Sequence, residues 1–186
     1  MNLPEKQCLL VIDMQRDFLA SDGYYVKSGK DIGPMLKAKE NIEAQIHESQ
    51  GKMLVVYVVS QYFLGQFGEG KSICVKGTKG SKLVIDKKFA DAVIVKQGYS
   101  AFSNPSLLAL LKKHSITTLT IVGLTTENCI RSTALDALGL GFRVIVPEEC
   151  VATNRERTAL HEAALKEIEQ RIQGKDVASR SVARSR

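Results

Sequence analysis

The chain contains no tryptophan, only six phenylalanines and five tyrosines, and just three histidines and four prolines. So few rings leave no base-stacking platform of the kind that single-stranded nucleic-acid binders use, and the formal charge of +6 does not by itself call for such a partner. His47, His114 and His161 each fall in a helix-like segment and none belongs to a ligand motif. The four cysteines (Cys8, Cys74, Cys129, Cys150) are widely spaced, which argues against both a disulfide framework and a zinc site. No bound metal and no cofactor is expected. No apolar run is long enough to span a bilayer, and the first residues lack the layout of a secretory signal, so a cytoplasmic protein with no membrane partner is expected.

What is present is a globular composition, 44% hydrophobic and 25% charged. Residues 1–173 read as one domain. Residues 174–186 read as a basic, mobile tail, rich in Ser and Arg and without apolar periodicity. Short apolar runs alternate with amphipathic ones. Strands are predicted at Cys8–Ile12, Met53–Val59, Ala92–Val95, Leu119–Val122 and Phe142–Val146. Helices are predicted around Met35–Ile46, from Asn104-Pro105 through Leu111, after Cys129, and over Arg155–Ile172 with Leu160, Ala164, Ile168 and Ile172 inward. Strands buried on both faces and separated by helices imply an α/β fold, a mostly parallel sheet between helical layers. Ligands bind beyond the carboxyl ends of the strands in such folds. Asp13, Ser60, Lys96, Leu124-Thr125 and Pro147-Glu148 stand there. The glycine-rich stretch from about 61 to 82 is long enough to be an active-site cover.

Cys129 follows a strand and the polar turn Thr125–Asn128, and opens a helical run. Unpaired amides and the positive helix end at such a turn favour a thiolate. A nucleophilic thiol needs a base and a cation. Asp13 ends the first strand and Lys96 the third, so Asp13, Lys96 and Cys129 form a candidate catalytic set.

Four segments then resemble one family. Cys8-Leu-Leu-Val-Ile-Asp-Met-Gln-Arg-Asp-Phe18, Gly77-Thr-Lys-Gly-Ser-Lys-Leu83, Lys96-Gln-Gly-Tyr-Ser-Ala-Phe102 and Val122-Gly-Leu-Thr-Thr-Glu-Asn-Cys-Ile130 are similar, in order, to motifs of the isochorismatase-like cysteine hydrolases. This group includes nicotinamidases, N-carbamoylsarcosine amidohydrolases, and ureidoacrylate and biuret hydrolases. The resemblance implies a three-layer α/β/α sandwich acting on a small-molecule substrate as a homodimer or homotetramer. It implies Asp13 as general base, Lys96 as the cation holding thiolate and base in register, and Cys129 as the nucleophile that forms a thioester. It also implies a cis peptide at Leu124-Thr125 and an oxyanion hole from the amides of Thr125 and Cys129. Phe18, Gln15, Tyr99, Phe102 and Asn128 are the candidate substrate contacts. Ser60-Gln61-Tyr62 stands where nicotinamidases of the family carry an Asp-x-His metal motif, which disfavours a metal-assisted nicotinamidase. The presence of Cys129 disfavours ether cleavage of the isochorismatase kind. The activity implied is cleavage of a C–N bond in a small amide or ureido compound. A metal-independent nicotinamidase-type or isochorismatase-type activity, or a binding module that has lost turnover, are the alternatives.

Overall fold

The computed structural model describes residues 6–70 and 72–184, with side chains described to position 174. The elements run β1 (Gln7–Ile12), α1 (Arg16–Leu19), α2 (Tyr24–Lys27), α3 (Gly33–Ser49), β2 (Leu54–Ser60), β3 (Ala92–Lys96), α4 (Pro105–Lys113), β4 (Thr118–Leu124), α5 (Arg131–Gly139), β5 (Arg143–Ile145), β6 (Val151–Ala152) and α6 (Thr158–Arg184). All strand pairs are parallel, in the order β3-β2-β1-β4-β5, with β6 continuing beside β4.

Alternation along the strands divides the core in two. Leu9, Val11, Val55, Tyr57 and Val122 face α3, which turns Met35, Ala38, Ile42 and Ile46 toward them. Cys8, Leu10, Ile12, Val56, Val58 and Ile121 face Leu107 and Leu111 of α4, Ala134 and Ala137 of α5, and Ile168 of α6. This is the three-layer α/β/α sandwich with a mostly parallel sheet.

Some elements differ from the sequence reading. β3 and β5 are edge strands, so Val95 and Ile145 are exposed where continuous apolar runs suggested burial. β6, only two residues long, carries no periodic signal; its pairing with Gly123 and Leu124 brings Thr153 beside the turn after β4. α6 turns Ala164 and Ile168 inward, but Leu160 lies on its solvent side, about half exposed. The backbone of α6 extends through position 184, over most of the segment read as a tail; the side chains of that segment and the last two residues lie outside the described residues. Among the described residues no helix is long and apolar enough to cross a membrane.

The sheet order places the chemistry. Ser60 and Lys96 are direct partners across β2 and β3, and Ile12 pairs with both Val58 and Gly123. Lys96, Ser60, Asp13 and Leu124 therefore end four adjacent strands on one rim. Gly123 is required there: at φ 126° a Cβ would lie 2.0 Å from the Ile12 carbonyl oxygen.

Candidate active site

Asp13 leaves β1 in the left-handed region, φ 57°, with its amide donating to the Val58 carbonyl. That conformation is unusual for a residue with a side chain and is found where surrounding contacts fix it. Here the contacts are plain. Asp13 Oδ1 accepts from Ser60 Oγ at 2.8 Å, and Oδ2 lies 2.9 Å from Lys96 Nζ, both side chains fully buried. The ammonium contact is an ion pair, and Oδ2 has no hydrogen bond of ordinary geometry. Lys96 Nζ also donates to Ser60 Oγ at 2.7 Å, to Tyr62 OH and the Gly98 carbonyl at 3.2 Å, and reaches Cys129 Sγ at 3.2 Å. Buried charges survive when paired and hydrogen-bonded, and this pair is both.

Cys129 does not open an α-helix. Thr126–Ile130 forms a single π-turn, with the Ile130 amide donating to the Thr125 carbonyl, and α5 begins only at Arg131. Such wide turns recur at functional sites. Thr133 Oγ1 accepts from the Ala101 amide and donates to the Cys129 carbonyl, tying the turn to the segment after Lys96. The Leu124–Thr125 peptide is cis.

The thiolate expected from a helix end is not the resting state. Burial, then the Asp13 charge, push the Cys129 thiol up to about 12, against the opposing pull of Lys96. Lys96 is held above its ordinary value: burial alone would lower it, but its acidic surroundings, Asp13 foremost, outweigh that. Cys129 thus rests as a neutral thiol, with the Asp13 carboxylate and the Lys96 ammonium as its charged neighbours.

The other three cysteines are free and buried as well, and burial raises each of their thiols, Cys150 to about 11. The consequence for stability has a definite sign. Above the ordinary thiol value of 9.0 the unfolded chain loses protons that the folded chain retains, so stability is full below that pH and falls as pH rises through the folded values. Each thiol contributes up to about 1.4 kcal/mol per pH unit. Urea unfolding at pH 8, 9 and 10 should show a steepening loss, and Cys8→Ala should make it shallower. A flat profile would contradict these buried-thiol environments.

A cavity of about 330 Å³ opens on Cys129, lined also by Thr125 and Asn128, by Phe18 and the aromatic residues Tyr24, Tyr25, Tyr62, Phe67 and Tyr99, and by Ile73, Lys30 and Arg157. Larger grooves exist, including one of about 660 Å³ near Lys6 and Gln50, but it holds none of the candidate catalytic residues. The 61–82 stretch supplies three wall residues, and Phe67 stands edge-on to Tyr62 and stacks on Tyr99.

Of the residues singled out in the sequence, Asp13, Lys96, Cys129, Leu124 and Thr125 come together, and Phe18, Tyr99 and Asn128 reach the cavity wall. Two candidates do not. Gln15 is fully buried and ties β2 to the turn at Ser81, donating to the Ser60 and Ser81 carbonyls and accepting from the Ser60 amide at 2.8 Å each, and it does not line the cavity. Phe102 turns to the other side and stacks on Phe142, lining a separate hollow with Leu108 and Leu135. Pro147 and Glu148, also at a strand end, lie away from the cluster because β5 stops short of it.

Ser60 was legible as a strand-end residue, and Ser60 and Tyr62 together as departures from a metal motif. Two residues apart at a strand end, they share a side, and Ser60 Oγ lies 2.9 Å from Tyr62 OH. Their donor set does not fit a metal ion. Ser60 Oγ is engaged by Asp13 and Lys96, and Tyr62 OH by Lys96 and Ser60, and no group of three His, Cys, Asp or Glu among the described residues could hold one. Lys30 and Arg157 reach the cavity from distant parts of the chain, and no local pattern marks them. Glu127 is fixed by Arg157 at 2.8 Å and by Asn128 and Thr153 at 3.2 Å; its buried Oε2 has no hydrogen-bond partner among the described residues.

Comparison with known proteins places the chain in a family and agrees with its fold. The isochorismatase-domain family model matches residues 7–178, and the chain belongs to that family. An Arabidopsis thaliana protein named "probable inactive nicotinamidase" is 33% identical over 168 residues, covering 81% of this chain and 84% of its own. A ureidoacrylate amidohydrolase of Acinetobacter baylyi is 26% identical over 175 residues, covering 79% of this chain and 71% of its own. Among solved structures, the zinc complex of Pyrococcus horikoshii pyrazinamidase superposes with a TM-score of 0.75 at 28% identity, covering 89% of this chain and 96% of that one.

Proposed function

We propose that the protein is a cysteine hydrolase that cleaves the C–N bond of a small amide or ureido compound through a thioester. The observation that carries the reading is the buried contact of Lys96 with both Asp13 and Cys129 at the floor of a cavity. Cys129 Sγ attacks the substrate carbonyl carbon while its proton passes to Asp13. The carbonyl oxygen takes the negative charge and faces the amides of Thr125 and Cys129; donors of this kind contribute roughly 3–4 kcal/mol to such a step. Collapse of the intermediate breaks the C–N bond, and Asp13 returns the proton to the departing nitrogen. Water, deprotonated by Asp13, then attacks the thioester carbonyl, and the carboxylic acid leaves as the thiol regains its proton. Lys96 stays charged throughout, balancing Asp13 before proton transfer and the sulfur after it.

The test is release of ammonia or amine from nicotinamide, pyrazinamide, biuret, ureidoacrylate and N-carbamoyl amino acids. At least one should be hydrolysed by the wild-type protein and none by Cys129→Ala. A binding module without turnover is the second reading, favoured by the Arabidopsis relative that is named as inactive. It predicts saturable binding of one of these compounds with no product from the wild-type protein.

A further inference from the structure

The cavity wall carries two cationic side chains and no carboxylate. Arg157 is partly neutralised: its Nη1 donates to Glu127 Oε1 at 2.8 Å, while the rest of its guanidinium has no partner among the described residues. Lys30 has no carboxylate partner among the described residues, and its ammonium sits 5.3 Å from the centre of the Tyr25 ring. The neighbouring acids are engaged elsewhere. Asp31 is held by Arg155 and the Gly33 amide, and Asp17 accepts from the amides of Tyr24 and Cys74. Tyr25 joins the two cations, since Lys30 lies over its ring and Glu127 and Arg157 are close enough for their charges to act on its phenol.

A charge count follows. Asp13 cancels Lys96, Glu127 cancels Arg157, and Cys129 rests as a neutral thiol, so the charge of Lys30 remains uncompensated in a largely aromatic, partly desolvated cavity. An unpaired charge there is most favourably met by one opposite charge on the bound molecule, and an ion pair strengthens where water is excluded. A planar guanidinium edge and an ammonium on the wall of one cavity match a carboxylate.

We infer that Lys30 and Arg157 form an anion subsite, and that the substrate is a monoanionic amide or ureido acid carrying a carboxylate at the end remote from the scissile bond. This rests on the hydrolase reading above and narrows it: neutral amides such as nicotinamide become poor substrates, and selectivity is set by residues outside the catalytic set.

The experiment compares succinamate with its methyl ester, which differ in one charge. With wild-type protein, kcat/KM for the acid should exceed that for the ester by about tenfold or more, as expected for one charge-assisted contact. Lys30→Met keeps the stem over Tyr25 and should reduce the preference to near unity by lowering the acid only. Arg157→Gln should act in the same direction, and Lys30→Met remains decisive if loss of the Glu127 partner unfolds that variant. Calorimetric binding of the same two compounds to Cys129→Ala gives the parallel result without turnover: the acid should bind more tightly, weakening with added salt. Equal handling of acid and ester, or a Lys30→Met effect of the same size on both, overturns the anion subsite while leaving the hydrolase reading standing. Tight binding of the acid to a wild-type protein that releases no ammonia has the reverse meaning: the subsite stands and the hydrolase reading falls.

Discussion

Replacing Cys129 by alanine should leave a folded protein whose turnover of any accepted amide is lower by on the order of 10⁴-fold or more. The size follows from the thioester mechanism: removing a covalent nucleophile removes the pathway, and what remains is the contribution of binding and oriented amides. The fold should tolerate the change, because Cys129 packs as a small buried side chain beside Ile130 and Ala134 and losing one sulfur costs only about 1 kcal/mol. Unfolding by urea separates the two effects. A variant that unfolds cooperatively at a midpoint slightly below wild type and releases no product is the expected result.

The second large effect belongs to Lys96. Its ammonium lies 2.9 Å from Asp13 with both side chains fully buried, and it also donates to Ser60, Tyr62 and the Gly98 carbonyl. Lys96→Met keeps the length of the stem and leaves a carboxylate buried without its counter-charge. Breaking a buried pair from one side costs about 3–5 kcal/mol, whereas removing both partners costs far less. The double variant Asp13→Asn/Lys96→Met should therefore recover most of the stability lost in Lys96→Met, as read from urea unfolding. Neither variant should recover activity, since kcat/KM falls by about 10²–10³-fold when one electrostatic stabiliser of the reacting centre is removed. A Lys96→Met protein as stable as wild type would mean that the pair contributes little to holding Asp13 in place.

These effects depend on residues whose roles were legible to different degrees. The sheet was readable because its strands are buried on both faces and give continuous apolar runs, and its helices carry a 3.6-residue stripe. Asp13 and Lys96 could be named because a polar residue directly after such a run must lie at a strand end. Cys129 could be placed in the turn after β4, but not in a π-turn, because that depends on the Ile130-to-Thr125 bond and not on residue type. The state of its thiol was misjudged for the same reason: the dipole argument sees only the local turn, whereas burial and the Asp13 charge come from the rest of the fold. Gln15 and Phe102 follow candidate catalytic residues in sequence, yet point to the Ser60 backbone and to the Phe142 side. Lys30 and Arg157 carry no pattern at all; 127 positions apart, they reach the same cavity wall only in the folded chain, from the segment after α2 and the turn before α6.

The thioester is the central claim, and hydroxylamine tests it most directly. Wild-type protein and Cys129→Ala are given the same amide with and without hydroxylamine, and acid, hydroxamate and ammonia are quantified together. The account predicts that wild-type protein diverts part of the product to the hydroxamate, by attack of hydroxylamine on the acyl thioester, and that the alanine variant yields neither product. Hydrolysis by Cys129→Ala at the wild-type rate would contradict it.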